Sequence, residues 1–533
     1  MSIKTGLVRR FFWLFAFGFL VRIILAWLPE KYLFYLVSDD AYYYFSVAKN
    51  LLNRGLFSAD GITATNGFHP LWLFVITPLF GFYDTAPWLC IRLALSFSAL
   101  LDTATAVLIY LILNRLNKPG PAFWAAAFYL FNPYALLHTM NGLETALNNF
   151  FIALLIYLSI QANPHWLESG WFYMGTVGGL AFLSRTDNVF VLATLFSGLF
   201  FQGRRFSPLL KMTALVLLVA APWLVYNWLF SGTLVQSSGT AYPFHYRQVY
   251  LNEYGTYGSL NLLTFTAKQA FLSFAENAWH YGNWILTLLV AGLVLRRWPS
   301  WPASARPLGW AFAAAGVFLL FHLLVRWSVR PWYFQEAFVL TLPAVAVALE
   351  RMNRYLVAAG AIAAFAWVSW YVVEWKYRVA DRSKVMLNII QTEIPPPDRV
   401  GVFNSGYVQY FTDQKVINLD GLANNEVLPY YRQQRGFEYL QRREIGWLLD
   451  QPSYLVDRFS PYFGTAGDSL LEFVHAITNI SIPGNTVMLV RAHLKGASDS
   501  SRIQQPLGPL IQERRRRGIQ HFWGKVPLFE WIR

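Results

Sequence analysis

Cysteine is almost absent: Cys90 is the one cysteine in 533 residues. This excludes an intrachain disulfide and a cysteine-based zinc site. Cys90 sits inside an apolar stretch and reads as a small buried hydrophobe. Charge is also scarce. Only 14% of the residues are charged, against roughly 25% in an ordinary soluble chain. Acidic residues are the scarcer sign, 29 against 43 Lys and Arg. In a soluble protein the resulting net charge of +14 would raise nucleic acid as a partner. Here many of the basic residues fall between apolar blocks, as they do at a cytoplasmic membrane face, so nucleic acid is set aside. A cleavage site is missing as well. Lys4, Arg9 and Arg10 precede an apolar run from Phe11 to Leu28, but Pro29, Glu30 and Lys31 follow it. That pattern is a retained first span rather than a signal peptide. No internal repeat is evident.

Hydrophobic residues make up 56% of the chain, and 22 of the residues are Trp. Such rings gather at bilayer interfaces. The apolar residues come in blocks, most of them about 20 residues long, enough to cross about 30 Å of hydrocarbon. The expected spans, about eleven, are 11–29, 88–113, 121–139, 145–160, 170–185, 188–202, 209–230, 282–295, 308–325, 333–349 and 355–373. The fold class is therefore a polytopic α-helical membrane protein. The loops holding Arg115 and Lys118, Arg204, Arg205 and Lys211, Arg296, Arg297 and Arg306, and Arg351 and Arg354 all share the side of the N-terminus. That side is cytoplasmic by the positive-inside rule. An odd number of spans puts the C-terminal part outside, together with loops 30–87 and 231–281. Long loops between helices are usually functional.

Three parts are expected: a membrane domain over 1–375, an outer domain over 376–496 and a tail over 497–533. In the first outer loop, Tyr42 to Leu52 forms an amphipathic helix, and 69–82, interrupted by Pro70 and Pro78, is an interfacial or re-entrant segment. After the linker Pro395-Pro396-Pro397, short strands at Val400–Phe403, Val416–Leu419, Ile445–Leu449 and Thr486–Arg491 alternate with a helix over 427–443. This suggests a small α/β domain. The tail reads as a flexible basic segment with Arg514 to Arg517, then Phe522, Trp523, Leu528, Phe529 and Trp531 lying on the membrane.

Four groups of residues could carry chemistry. Asp39 and Asp40, in Ser38-Asp39-Asp40-Ala41-Tyr42-Tyr43-Tyr44, place two adjacent carboxylates about ten residues beyond the first span. Neighbouring carboxylates resist double ionisation, so one should titrate high and could act as a general base. The plainer reading is a cap on the helix that follows. Asn66 and His69, in Thr65-Asn66-Gly67-Phe68-His69-Pro70-Leu71-Trp72, form a polar turn with an aromatic anchor. His69 could equally be structural. Glu144 ends Asn141-Gly142-Leu143-Glu144 and would start a helix, where a carboxylate favours the dipole. Arg185 and Asp187, in Ser184-Arg185-Thr186-Asp187, and Arg326 and Arg330, in Arg326-Trp327-Ser328-Val329-Arg330, put cations at outer helix ends. Arg suits phosphate through its planar fork. The alternative is pairing with Asp187 or Glu336, because buried charges need partners.

The acidic pair in a long loop after the first span resembles the GT-C superfamily of integral-membrane glycosyltransferases. So do the Thr65–Trp72 string, Asn141–Glu144, Arg185–Asp187 and Leu419-Asp420-Gly421-Leu422-Ala423-Asn424. Bacterial members include protein O-mannosyltransferase-like enzymes, the lipid A aminoarabinose transferase and mycobacterial arabinofuranosyltransferases. The resemblance implies a GT-C membrane domain and a sugar delivered on a polyprenyl phosphate at the outer face of the cell membrane. The acceptor would be a glycan, lipid or protein hydroxyl. Asp39 or Asp40 would be the base and displacement would invert the anomeric carbon. Arg185, Arg326 and Arg330 would hold the phosphate, and His69 and Glu144 would orient sugar or acceptor. No cofactor is fixed by it, and a divalent metal is left open. The competing class is a transporter or flippase for a lipid-linked sugar, which calls for mid-membrane ionisable groups and a repeat. A polymerase or oligosaccharide ligase on the same fold, or a membrane anchor for a binding domain, are further alternatives.

Overall fold

The computed structural model describes the chain apart from residues 1, 162–166, 204–205, 255–257, 281–283, 328, 351, 479–485, 496–502 and 517–533. The aromatic end of the tail lies outside the described residues. Two units are present. One comprises Met1–Ser38, His69–Leu229 and Thr266–Trp375, and the other Asp39–Phe68, Phe230–Phe265 and Lys376–Arg533. One boundary between the units falls between Trp375 and Lys376. The division departs from expectation for 39–68 and 230–265, which fold with the C-terminal residues. Residues after 400 bond to polar groups in both stretches, among them Tyr43, Asn66, Ser237 and His245.

The described residues of every expected span fall mostly in helices. The block 121–139 is two helices, Pro119–Phe131 and Pro133–Thr139. Pro133 stops the first and opens the second, and Asn132 Oδ1 caps the second by accepting Tyr134 N–H and Ala135 N–H at 3.0 Å each. Pro87, Pro119 and Pro331 likewise open helices, at the position where a missing N–H costs nothing. Among the described residues, Pro87–Arg115, Phe206–Ser231, Ala303–Leu324 and Pro331–Leu349 are each long and apolar enough to cross a bilayer. Phe11–Ala26 and Glu30–Leu36 are together apolar enough for a further span but are bent by 110° at the break between them, the geometry of a broken span or a re-entrant loop. Residues 70–82 form the expected short, broken segment, Pro70–Ile76 followed by a 3₁₀ stretch Thr77–Phe82. The core packs Ile109, Leu113, Tyr129, Ile152, Leu308, Phe318 and Leu340.

Within that core lies an ion pair no sequence signal anticipated. Arg22 Nε donates to Asp102 Oδ2 at 2.6 Å, with both side chains fully buried. Arg22 also donates to the Gly18 and Leu130 carbonyls, and Asp102 accepts from the Tyr129 and Thr139 hydroxyls at 2.5 and 3.0 Å. A buried pair with these extra bonds fixes helix register. Arg22 Nε and Nη1 and both Asp102 oxygens are taken up within the cluster, while Arg22 Nη2 has no hydrogen-bond partner.

The second unit is built on a five-stranded sheet. Its strands are β1 (Arg399–Val402), β2 (Val416–Asn418), β3 (Ile445–Asp450), β4 (Leu471–Thr478) and β5 (Thr486–Ala492), ordered β2-β1-β3-β5-β4. β2, β1 and β3 are parallel, and β4 and β5 complete an antiparallel edge. β4 was not expected. The chain leaves β1 for β2 on one side and crosses to β3 on the other, so β1 marks the point where strand order reverses. Ligand sites in open α/β sheets gather at the carboxyl ends of strands at such a point. The predicted helix over 427–443 is two short ones, Val427–Arg432 and Gly436–Arg442. Gln434 between them adopts φ of +55°, a left-handed conformation that breaks the run. The expected flexible basic segment is corrected for its described part. Leu507–Arg516 is a helix, and its Leu507 and Ile511 join the core of this unit beside Phe437, Leu448 and Val490.

Candidate active site

The acidic pair opens the helix Asp39–Arg54, which buries Ala41, Tyr42, Tyr44, Phe45, Ser46, Val47, Ala48 and Asn50, residues that run around the whole helix. Asp39 caps a helix, but not its own. Its Oδ1 accepts Tyr407 N–H at 2.9 Å and its Oδ2 accepts Gly406 N–H at 3.3 Å. These are the first residues of the short helix Gly406–Phe411 that leaves β1. Burial pushes the Asp39 carboxyl up to about 6; Asp40 repels it further upward, while the two N–H bonds and the Arg382 charge pull it down. The expected rise in the pair is therefore present, with burial rather than repulsion as its larger cause.

One turn along, the Tyr43 hydroxyl is a hub. It donates to the Phe403 carbonyl at 3.3 Å and accepts from Ser405 N–H and Asn418 Nδ2, both at 3.0 Å. Asp450, ending β3, accepts Asn404 N–H at 2.9 Å and Phe403 N–H at 3.2 Å. Asp420 follows β2. Burial raises its carboxyl well above the usual range, and Asp40 and Asp39 add repulsion. The carboxyl ends of β1, β2 and β3 thus gather Ser405, Asn418, Asp420 and Asp450 around the acidic helix. Tyr43 and Asp420 lay in strings the sequence reading singled out, without a role. The signal for Asp420 was an acid in the turn just past a parallel strand.

Asn66 belongs to the same unit and is fully buried. Its Oδ1 accepts Asn425 Nδ2 at 2.7 Å and Ser237 N–H at 3.1 Å. It braces the first loop, and His69 lies in the other unit.

In the membrane unit, Arg185 is the centre of a second cluster. It is 2% exposed and faces three carboxylates: Glu144 at 2.9 Å, Asp187 at 2.6 Å and Glu336 at 3.4 Å. Its guanidinium also lies over the Tyr333 ring at 4.1 Å. Pairing with Asp187 and Glu336, one of the two expected outcomes, is what occurs. Asn148 Nδ2 donates to Glu336 Oε2 at 2.7 Å, and His322 Nε2 lies 3.1 Å from Asp187 Oδ2. Asn148 and His322 escaped the sequence reading, although an ionisable His in an apolar helix is itself a signal.

Glu144 sits just before the helix Thr145–Gln161, as expected. The turn before it needs Gly142, at φ +84°, a region glycine enters without penalty. His69 Nδ1 accepts Thr186 N–H at 3.4 Å, and its Nε2 lies 3.9 Å from Glu144 Oε1. Burial lowers the affinity of His69 for a proton, so the ring is neutral. The segment carrying Arg326 and Arg330 is tied down through Trp327 Nε1 to Thr266 Oγ1 at 3.0 Å and Val329 N–H to Ser273 Oγ at 2.6 Å. Arg326 lies near enough to His69 and His322 to act on both, and Arg330 is exposed. Among the described residues, no three His, Cys, Asp or Glu side chains are grouped so as to hold a metal ion.

A family model described as Dolichyl-phosphate-mannose-protein mannosyltransferase matches residues 73–226, and one described as Domain of unknown function (DUF8728) matches 367–498. No curated protein matches the chain by sequence. Solved structures do match by fold. ArnT from Cupriavidus metallidurans in the apo state gives a TM-score of 0.55 at 11% identity, over 92% of this chain and 98% of ArnT. ArnT bound to undecaprenyl phosphate gives 0.54 at 13% identity, over 91% and 98%. The chain has the GT-C fold. The Archaeoglobus fulgidus oligosaccharyltransferase AglB, in complex with an inhibitory peptide and a dolichol-phosphate, matches at a TM-score of 0.49 and 12% identity, over 89% of this chain and 75% of AglB. With its several long apolar helices the chain is a multi-pass membrane protein, and the second family match covers all five strands of the second unit.

Proposed function

We propose that the chain is a membrane glycosyltransferase that moves a sugar from a polyprenyl phosphate to a hydroxyl of an extracytoplasmic glycan, lipid or protein. The observation that carries this reading is the acidic pair, with Asp39 anchored by two main-chain N–H groups, on a GT-C fold. The mannosyltransferase family match and the undecaprenyl phosphate bound by ArnT support it.

The residues supply the parts of a single displacement. Asp39 removes the proton of the acceptor hydroxyl, and its second lone pairs stay available beyond the two N–H bonds it accepts. The acceptor oxygen bonds to the anomeric carbon as the bond from that carbon to the phosphate oxygen breaks. The lipid phosphate leaves with the electron pair, and the configuration inverts. Asp40 keeps the proton affinity of Asp39 high. Arg326 and Arg330 hold the phosphate and meet its growing charge. Arg185 is committed to its carboxylates, so its part is to organise Glu144 and Asp187 rather than to grip phosphate. Glu144 and neutral His69 orient hydroxyls.

The N-terminus is cytoplasmic and the second unit extracytoplasmic. Gln433, exposed on that unit, is a suitable probe, since Cys90 is buried. Gln433→Cys labels with an impermeant maleimide in intact cells; protection until lysis would reverse the orientation. The catalytic reading is tested with purified protein and a panel of radiolabelled polyprenyl-phosphate sugars, using envelope glycans, lipids and proteins as acceptors. The parent transfers label and the Asp39→Asn/Asp40→Asn double variant does not. Equal transfer by both would remove the acid pair from the chemistry.

A further inference from the structure

We infer that the C-terminal α/β sheet is part of the catalytic machinery, acting as the scaffold that positions Asp39 through Gly406, Tyr407, Ser405 and Asn418. The inference rests on the reading of Asp39 as the base.

Close approach at two glycines fixes the arrangement. A Cβ at Gly406 would overlap the main-chain oxygen of Asp39, and a Cβ at Gly67 would overlap that of Leu422. Gly406 follows β1 and Leu422 follows β2. The first loop is therefore seated against the carboxyl ends of two adjacent parallel strands, at places where no side chain fits. Between these points the Tyr43 hydroxyl joins the acidic helix to Phe403, Ser405 and Asn418. Asn66 repeats the pattern at the far end of the loop, through Asn425 and Ser237. In a sheet of this order a small-molecule ligand would take the strand-end crevice. Here that place is filled by the chain's own carboxylate. Positions of reacting groups matter to about 1 Å, and Asp39 has its position set by residues more than 350 places further along the chain.

The charged and titratable groups around Asp39 are Asp40, Tyr42 and Tyr43 on its own helix, Tyr407 on the helix after β1, Asp420 after β2, and Arg382 on the helix Arg354–Glu393. The tyrosines stay neutral near pH 6, because burial raises all three. The N–H bonds from Gly406 and Tyr407 favour the ionised carboxylate. Losing them raises the affinity of Asp39 for a proton and moves the acidic limb of the rate profile to higher pH.

Gly406→Ala tests this directly. Alanine favours a helix more than glycine does, so the short helix itself is not opposed; what must move is Asp39. The measurement is kcat and KM against pH, with the radiolabelled donor that the parent transfers, alongside the thermal midpoint. The expected result is a fall in kcat of roughly 100-fold, a donor KM close to the parent's and an acidic limb at higher pH. Tyr43→Phe keeps the ring and removes the hub, and should also lower kcat without changing KM. If both variants keep the parent's rate and limb while Asp39→Asn is inactive, the scaffold role falls and the base assignment stands. If Asp39→Asn is itself active, the base assignment falls first.

Discussion

Asp39→Asn should lower transfer by about 100- to 10,000-fold, the range over which a positioned general base acts, with donor KM nearly unchanged. The asparagine keeps the size of the carboxylate. Its oxygen still accepts one N–H from the Gly406–Phe411 helix, but its NH2 then confronts the other. The parent profile should rise with pH through about 6, because the active form is ionised Asp39 and burial holds its carboxyl there. Asp40→Asn gives the complementary result. Removing the neighbouring negative charge lowers the proton affinity of Asp39, so the acidic limb moves to lower pH. A limb unmoved in Asp40→Asn would show that the two carboxylates do not interact. A parent rate in Asp39→Asn would return that residue to a purely structural cap.

Arg185→Leu should fail by a different route, through stability. The guanidinium answers Glu144, Asp187 and Glu336 at once, and Glu144 and Glu336 are as buried as it is. Removing one partner of a buried ion pair costs about 3–5 kcal/mol, because the remaining charge is left uncompensated. Three carboxylates depend on this one arginine. The expected result is a large drop in the thermal midpoint in detergent and poor recovery from membranes. Arg185→Lys should recover part of the stability, since an ammonium supplies charge but not the planar fork. A midpoint equal to the parent's in Arg185→Leu would mean that the carboxylates find other partners. The assay separates this arginine from Arg326 and Arg330, whose replacement should change donor affinity more than the midpoint.

Much of this architecture was legible because a membrane demands long apolar runs, and those runs map onto helices, with 121–139 divided in two at Pro133. The acidic pair was legible for a related reason. Charge is so rare in this chain that two adjacent carboxylates stand out, and the strings around His69, Glu144 and Arg185 stand out as polar breaks between apolar blocks. What periodicity and spacing do not carry is pairing at a distance. Nothing local in Asp102 announces Arg22, and nothing in Tyr43 announces Asn418. Arg185 illustrates the ambiguity, since its residue type fits phosphate and carboxylate equally, and only its neighbours decide. The unit boundaries were hidden for the same reason. A polar loop after a first span reads as an appendage of the membrane part, because the strands it packs on are encoded hundreds of residues later.

That separation sets the order in which the protein can be made. The helix Asp39–Arg54 leaves the ribosome early, with Ala41, Tyr42, Tyr44 and Phe45 among the residues it will bury. Gly406 and Tyr407, which receive it, are 367 and 368 residues away from Asp39. At about 5–20 residues per second, the acidic loop waits roughly 20–70 s for its seat. Throughout that interval its aromatic side chains have no partner from this sheet. The Asp39 carboxylate meets its two N–H donors only near the end of synthesis, so a product truncated before Gly406 would lack that seat even when fully inserted in the membrane.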